Sequence, residues 1–267
     1  MKIYTVSNQK GGVGKTTTAL AVANILKYRG YKVLYIDADP QCNSTDTYKA
    51  NTYIMDWKLK GLPADCNSNV LTLYNVLFED VDINEAIQHT EIGDIVAGDA
   101  RLFGADKDLA GSFSGEYLLA EALENLTGYD YVIMDTGPAM GKLLEGALIA
   151  CNEVIIVTGP GRYELQGLSA LELNILKIKK RKNPNLKIAG ILVNVCESRF
   201  VLSQMIYKSF EKEAQRIGTV MLPPIRRCIK LGEAQAVNQG IMEYSPKCNG
   251  AIDYNKVVDV LIGEKRA

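Results

Sequence analysis

The chain has 267 residues, 47% of them hydrophobic, and its 30 basic and 31 acidic side chains leave a formal net charge of -1. This is the composition of a globular protein with a sizeable core, and the charge balance at first argues against nucleic-acid binding, which usually requires a basic excess. A single histidine and six scattered cysteines without C-x-x-C spacing argue against a zinc site, a histidine-based catalytic triad and a disulfide framework.

Seven short apolar segments rich in β-branched residues predict strands over residues 3–7, 33–37, 94–97, 131–135, 153–158, 189–194 and 219–222. Amphipathic segments between them predict helices over residues 15–29, 115–126, 142–151, 165–181, 201–216 and 251–262. The least regular stretch, 46–70, is expected to form a loop with short helices. Continuous apolar strands that alternate with helices predict an α/β fold, with a mostly parallel twisted sheet and helices on both faces. We expect one domain over 1–267.

A glycine-rich segment stands between the first predicted strand and the first predicted helix. It reads Lys-Gly-Gly-Val-Gly-Lys-Thr-Thr over residues 10–17, and we call it the phosphate loop. It ends as a Walker A loop does, where the lysine reaches the β- and γ-phosphates and the threonine hydroxyl ligates Mg²⁺. The expected nucleotide-binding residues are Lys10, Gly11, Gly12, Val13, Gly14, Lys15, Thr16 and Thr17. Gln9 departs from the ordinary pattern, which has glycine at that position.

Aspartates stand at the ends of two predicted strands. Asp37 and Asp39 are two residues apart, so in a strand their side chains point to the same face. Carboxylates there suit Mg²⁺ and an attacking water, because hard cations take oxygen ligands. Asp135 follows four apolar residues, as in a Walker B strand, and would hold Mg²⁺ through water together with Thr16. The expected cofactors are therefore ATP and Mg²⁺.

The phosphate loop resembles the deviant Walker A loop of the family that includes the ParA/Soj partition ATPases, MinD and the nitrogenase iron protein. The resemblance implies that Lys10 reaches across a dimer interface to the partner's nucleotide. It also implies that Asp39 orients or activates the water and that Asp37 lies near the Mg²⁺ shell. The expected catalytic residues are accordingly Lys10, Lys15 and Asp39, and the expected metal site comprises Thr16, Asp37 and Asp135.

The resemblance continues over nearly the whole chain and favours ParA/Soj within this family. The similar segments are 159–168, 183–193, 231–234 and 244–251. By the same resemblance Asn194 contacts adenine, although asparagine at a strand end is also a common turn former. Thr-Gly-Pro-Ala over 136–139 departs mildly from the ParA pattern and leaves Asp135 intact, while the lack of cysteine over 136–141 disfavours an iron–sulfur protein.

The charges are distributed unevenly along the chain. Residues 177–230, which we call the basic segment, carry thirteen basic residues and three glutamates, a net charge of +10 against -11 for the remainder. Basic side chains can displace counterions from DNA phosphates without reading sequence. ParA dimers bind nonspecific DNA through residues late in the chain, and the positions that correspond are Arg199, Arg227 and Lys230, with the run 179–181 as weaker candidates. Such a run is also typical of a solvated helix end.

These observations predict a ParA-like, Mg²⁺-dependent ATPase that forms a homodimer with ATP, binds nonspecific DNA and drives plasmid or chromosome partition. The implied partner is a centromere-binding ParB-like protein. Without a signal peptide or a membrane span, we expect a cytoplasmic, nucleoid-associated protein and no membrane partner. Two alternatives remain open, a MinD-like membrane-associated positioning ATPase and a ParA-like positioner of a protein cargo. The first would need an amphipathic C-terminal helix, whereas the acidic pattern over 257–267 is typical of a last core helix.

Overall fold

A computed structural model describes residues 1–51, 70–161, 164–196 and 201–264. Within this part of the chain one sheet contains β1 (Lys2–Ser7), β2 (Val33–Ala38), β3 (Ile87–His89), β4 (Asp94–Val96), β5 (Tyr131–Thr136), β6 (Glu153–Thr158) and β7 (Lys187–Val193). The spatial order is β3-β4-β2-β5-β1-β6-β7. Neighbouring strands pair in parallel except β3, which pairs antiparallel with β4 at the sheet edge.

The register of the central strands brings the aspartates to one edge of the sheet. Asp37 in β2 lies opposite Asp135 in β5, and Asp135 lies opposite Val6 in β1. In open parallel sheets ligands bind beyond the carboxyl ends of the strands. The three central strands therefore define where a site can form.

Eleven α-helices lie within the described residues. They are α1 (Lys15–Tyr28), α2 (Asn43–Tyr48), α3 (Leu73–Phe78), α4 (Leu102–Gly111), α5 (Leu118–Glu124), α6 (Lys142–Ala150), α7 (Glu164–Arg181), α8 (Val201–Arg216), α9 (Ile229–Ala236), α10 (Ile241–Tyr244) and α11 (Asn249–Ile262). Among these helices, those that contribute side chains to a core on one face of the sheet are α3 to α8. The opposite face packs against α1, α2 and α9 to α11.

Alternate residues of each strand enter these two cores. In β2, for example, Leu34 and Ile36 join one core while Tyr35 joins the other, and all three are fully buried. Burial on both faces explains why the central strands are nearly continuous in apolar residues. The predicted fold class, a mostly parallel sheet covered on both faces, is confirmed.

Two strand assignments differ from the prediction. Strand β3 was not predicted, because its three residues include Gln88 and His89 and its side chains lie at a polar edge. The predicted strand over 219–222 is wrong, since only Met221 forms an isolated bridge, with Ile191. Pro223 and Pro224 follow directly, and proline cannot donate a ladder hydrogen bond.

The observed helices differ from the predicted ones mainly at their ends, and the structure also contains short helices that were not predicted. The predicted helix over 115–126 is divided into a 3₁₀ turn (Gly115–Tyr117) and α5. The short helices α2, α3, α9 and α10, and the longer α4, were not predicted. Of the stretch 46–70, residues 52–69 lie outside the described residues.

The last helix, α11, belongs to the core as predicted. Its buried side chains include Tyr254, Val257 and Val258, which pack in the same core as α1. Among the helices in the described ranges, none combines the length and the apolar character that crossing a membrane requires.

Candidate nucleotide-binding site

The phosphate loop connects β1 to α1 through two glycines in the left-handed region. Gly12 has φ +74° and Gly14 has φ +90°, a conformation that favours glycine over all other residues. A Cβ atom on Gly14 would lie 2.2 Å from Nδ2 of Asn194, so close approach also requires glycine there. The N–H of Thr18 donates to the Gly14 carbonyl at 2.9 Å, which fixes the first turn of the helix.

Lys15 lies inside the site, with only 6% of its surface exposed. Its Nζ atom donates to the carbonyl of Lys10 at 3.1 Å. Burial lowers the pKa of its ammonium group, while the carboxylates of Asp135 and Asp39 oppose that change. The lysine is thus a buried cation held between the loop backbone and the carboxylates.

Asp135 at the end of β5 is fully buried and has one unsatisfied oxygen. The Ser44 hydroxyl donates to its Oδ2 atom at 2.9 Å, whereas Oδ1 accepts no hydrogen bond from the part of the chain that the structure describes. Burial raises its pKa to about 6, against the opposing effect of the Thr16 and Ser44 hydroxyls. A buried carboxylate oxygen without a donor, beside a threonine hydroxyl, suits a hard divalent cation.

Asp37 is also fully buried, but both of its oxygens accept hydrogen bonds. Oδ2 accepts from the Thr45 hydroxyl at 2.7 Å and the Thr45 N–H at 2.9 Å, and Oδ1 accepts from the Asp39 N–H at 3.1 Å. Burial and the nearby Asp135 raise its pKa to about 7. Asp37 therefore fixes the segment that follows β2, and its place near Mg²⁺ stays a prediction.

Asp39 lies where the segments after β2 and β5 approach each other. It is 7% exposed, and its Oδ1 atom accepts from the Gln41 N–H at 2.9 Å. A Cβ atom on Gly137 would lie 3.3 Å from the same oxygen. Glycine at 137 therefore lets the two segments approach each other, and the Asp39 carboxylate lies close enough to Lys15 and Asp135 to raise the pKa of both, against the effect of burial on Lys15 and with that of burial on Asp135.

Lys10 is the member of the phosphate loop whose side chain turns outward. The side chain is 54% exposed, and its Nζ atom lies 2.7 Å from Oε1 of Glu164 at the start of α7. The backbone N–H of Lys10 donates to Asn8 Oδ1 at 3.0 Å. The ammonium group is thus held by a carboxylate of its own chain.

Asn194 follows β7 directly and lies beneath the phosphate loop. Its Nδ2 atom is 3.2 Å from the Val13 carbonyl, and its Oδ1 atom accepts from the Tyr254 hydroxyl at 3.3 Å. The predicted contact of Asn194 with adenine stays a prediction, and it would require the amide to exchange these partners.

Four contacts of this site were missed at the level of sequence. Ser44 and Thr45 stand in the same string as Asp39, and their hydroxyls were the only local signal. Glu164 and Tyr254 have no local signal, because their partners Lys10 and Asn194 are 154 and 60 residues away along the chain.

The predicted DNA contacts are only partly described. Arg199 lies outside the described residues, and Arg227 and Lys230 are exposed near the start of α9. Lys230 Nζ is 2.7 Å from Oε2 of Glu233. The guanidinium group of Arg226 beside them donates twice to Asp253, at 2.8 Å in each case.

Other charges of the basic segment are also paired within the chain. Lys182 contacts Glu116 and Glu145, and Arg216 contacts Glu172 and Glu213. The net charge of the segment therefore overstates the positive charge that it presents to solvent.

The strand, the loop with two lysines, the helix and the two aspartate-bearing strands define a P-loop nucleoside triphosphatase of the deviant Walker A class. A family model described as an AAA domain matches residues 1–188. The sporulation initiation inhibitor protein Soj of Bacillus subtilis is 32% identical over 257 residues, which cover 95% of each chain. The chromosome partitioning protein ParA of Myxococcus xanthus is 32% identical over 260 residues, 95% of this chain and 85% of that one. The chain belongs to the ParA/Soj family of partition ATPases.

Solved structures share the fold. Cobyrinic acid a,c-diamide synthase from Mycobacterium smegmatis with bound ADP and magnesium is 28% identical, with a TM-score of 0.79 over 98% of this chain and 94% of that one. The apo McdA structure from Cyanothece is 21% identical, with a TM-score of 0.84 over 98% and 100%. Both comparisons support the sheet order and the helices on both of its faces.

Proposed function

We propose that the chain is a Mg²⁺-dependent ATPase that dimerises on ATP, binds DNA without sequence preference and drives plasmid or chromosome partition with a ParB-like centromere-binding partner. The observation that carries the proposal is the convergence of Lys15, Asp39 and Asp135 at one edge of the sheet, beside a loop that also contains Lys10. Family membership supports the partition role. A protein of this kind would act in the cytoplasm, on the nucleoid.

The phosphate loop would hold the nucleotide. The N–H groups over residues 11–17 face the phosphates in this loop type, and the start of α1 adds a positive helix dipole. Lys15 would neutralise charge on the β- and γ-phosphates. Thr16 and Asp135 would hold Mg²⁺, with Asp37 behind them, and Mg²⁺ when bound neutralises the charge that develops during phosphoryl transfer.

Hydrolysis in this site depends on positioning. Asp39 would accept a hydrogen bond from the attacking water and orient it towards the γ-phosphate. Its own orientation is fixed by two hydrogen bonds, from its N–H to Asp37 and from the Gln41 N–H to its Oδ1. Asp37 would thus act on the reaction through the segment that carries Asp39.

Dimerisation would bring Lys10 to the nucleotide of the partner subunit. In the single chain its ammonium group is paired with Glu164, so the pair must separate before Lys10 reaches a phosphate. A half-exposed ion pair is weak, and phosphate oxygens offer a stronger, charge-assisted contact. The dimer would therefore form only when ATP is present.

Size-exclusion chromatography tests the dimer. Asp39→Ala should slow hydrolysis and give a stable dimer in ATP, while the wild-type chain in ADP should elute as a monomer. A variant that elutes as a monomer in ATP would count against a shared nucleotide site.

DNA binding should depend on ATP and on Arg227. We expect that ATP-loaded protein binds a random-sequence duplex, that ADP-loaded protein binds weakly, and that Arg227→Glu in ATP loses about tenfold or more, because each phosphate contact adds to the salt-dependent affinity. Lys32→Glu, an equal charge change before β2 at the opposite edge of the sheet, is the matched control. Equal binding in all of these states would contradict the proposal.

A further inference from the structure

Two cysteines stand at the starts of two helices that pack together. Cys228 is the N-cap residue of α9, and Cys248 is the N-cap residue of α11. A Cβ atom on Gly250, in the first turn of α11, would lie 2.8 Å from Cγ of Leu231 in α9. The first turns of the two helices are therefore in close contact, although their cysteines are 20 residues apart along the chain.

The segment that leads into α9 is also tied to α11 by hydrogen bonds. The N–H of Arg226 donates to Asp253 Oδ2 at 3.1 Å, and its guanidinium group donates to both oxygens of that carboxylate at 2.8 Å. Asp253 lies in α11 and is 4% exposed. Cys228 follows Arg226 by two residues, so its place beside the start of α11 is fixed by these hydrogen bonds as well as by packing.

The two thiols are direct neighbours in this arrangement. Cys248 Sγ accepts from the N–H of Ala251 at 3.3 Å, and the Cys248 thiol donates to Cys228. Burial raises the pKa of Cys248 and the hydrogen bond to Cys228 raises it further, whereas the Ala251 N–H lowers it. Both are free thiols that lie partly exposed at the edge of the core, whereas Cys42 and Cys151 are buried. Reagents in solution therefore have access to this pair.

Cations surround the pair. Arg226, Arg227 and Lys230 flank Cys228 in sequence, and Arg227 and Lys230 are the described residues predicted to contact DNA. Cys228 lies close enough to Arg226 and Lys230 to act on them electrostatically. Positive charge, together with the N-terminus of a helix, favours the thiolate form that reacts with disulfides. It also attracts an anionic oxidant such as oxidised glutathione.

We propose that Cys228 and Cys248 are a modification site, where exchange with a small-molecule disulfide forms a reversible disulfide bond, and that this bond weakens DNA binding. One cysteine thiolate attacks the small disulfide, forms a mixed disulfide and releases one small thiolate. The other cysteine thiolate then attacks the protein sulfur of the mixed disulfide and releases the second small thiolate. Two protein thiols are thus oxidised to one disulfide and one small disulfide is reduced to two thiols, which take up the two protons that the cysteines lose.

The effect on DNA follows from the geometry of the bond. Disulfide sulfurs lie about 2 Å apart, closer than two thiols in contact, so the start of α9 must move towards α11. This movement draws the backbone that carries Arg227 and Lys230 towards the core. The effect on DNA rests on the proposed function, whereas formation of the bond does not.

Mass spectrometry tests whether the bond forms. The full chain is equilibrated in glutathione buffers of increasing oxidised-to-reduced ratio, then quenched with acid, alkylated and digested. We expect one linked peptide pair that contains Cys228 and Cys248 and that reverts in excess reduced glutathione, with a melting temperature about 5 °C higher in the oxidised chain because a loop is closed. No linked pair, a bond to another cysteine, or glutathione retained on one cysteine as the end product would overturn the inference.

DNA binding tests the effect of the bond. In ATP, the oxidised wild-type chain should bind a random-sequence duplex about threefold more weakly than the reduced chain, because cations move away from the phosphates. Cys228→Ser should remove this difference. Cys196→Ser is the matched control and should keep it, since Cys196 is another partly exposed thiol and lies beside Arg226 in an isolated bridge.

Equal DNA affinity of the oxidised and reduced wild-type chains, or a difference that persists in Cys228→Ser, would contradict the inference. Failure of the reduced wild-type chain to bind DNA would instead contradict the proposed function. The mass spectrum still decides in that case whether the disulfide forms, so the two failures are distinguishable.

Discussion

The nucleotide site and the basic segment differ in how their charges are partnered. Lys15 and Asp135 are buried at the edge of the sheet, and the Asp135 Oδ1 atom accepts no hydrogen bond within the described residues. In the basic segment, Lys182, Arg216 and Arg226 instead contact carboxylates of the same chain. The comparison teaches that unsatisfied buried charge marks a ligand site better than net charge along the sequence does.

The largest effect should follow from removing the buried cation. Lys15→Gln keeps a polar side chain but leaves the phosphates and Asp135 without their nearest positive charge, so we expect ATP hydrolysis to fall about a thousandfold. Lys27→Gln, on the same helix, is the control, because within the described ranges the Lys27 ammonium group donates to the carbonyls of Glu91 and Ile92, away from the phosphate loop. Steady-state phosphate release measures both. A loss below tenfold for Lys15→Gln, or equal losses, would show that the buried charge is not used.

The buried carboxylates should make stability depend on pH. Burial raises the pKa of Asp135 to about 6 and that of Asp37 to about 7, from the ordinary aspartate value of 3.8. The folded chain therefore binds protons more tightly than the unfolded chain between pH 4 and 7, and this contribution to stability is lost as the pH rises through that range. In the absence of nucleotide, Asp135→Asn should reduce the change in unfolding free energy between pH 5 and pH 8 by about 2 kcal/mol.

Urea unfolding at several pH values measures this difference. His89→Gln is the control and should leave the slope between pH 5 and 8 nearly unchanged, because the His89 side chain is exposed at the sheet edge and both buried carboxylates are kept. A wild-type chain that gains stability from pH 5 to 8 relative to Asp135→Asn would have the opposite sign and would contradict the burial argument.

The sequence predicts those parts of the site in which function depends on local spacing. The phosphate loop and the aspartates after β2 and β5 are recognisable because a buried strand leads directly to each of them. Edge elements are different, since β3 has a polar sequence and the apolar stretch 219–222 is stopped by two prolines. The partner of Thr18 on α11 is 236 residues away, and no local pattern indicates a contact that depends on helix packing.

Lys10 shares features of both regions, because it belongs to the phosphate loop yet is paired on the surface. Glu164→Gln removes the charge that holds the Lys10 ammonium group. It should strengthen ATP-dependent dimerisation by up to about fivefold, which corresponds to the usual free-energy contribution of an exposed ion pair. Sedimentation over a range of protein concentrations measures the dimer constant. Lys2 makes a comparable pair with Glu153 at the other end of the sheet, so Glu153→Gln should leave dimerisation unchanged. Weaker dimerisation in Glu164→Gln would mean that Glu164 assists the dimer.

The smallest effect is expected where a lysine of the basic segment is paired with a nearby carboxylate. Lys230 is paired with Glu233, which also accepts a hydrogen bond from the Tyr244 hydroxyl at 2.8 Å. Glu233→Gln keeps an oxygen for the tyrosine but removes the charge, so affinity of the ATP form for DNA should rise less than about threefold, and the dependence on salt should become steeper. A titration at two salt concentrations measures both. If Lys230 does not face the DNA, the salt dependence will stay that of the wild-type chain. The DNA-binding surface would then include Arg227 but not α9.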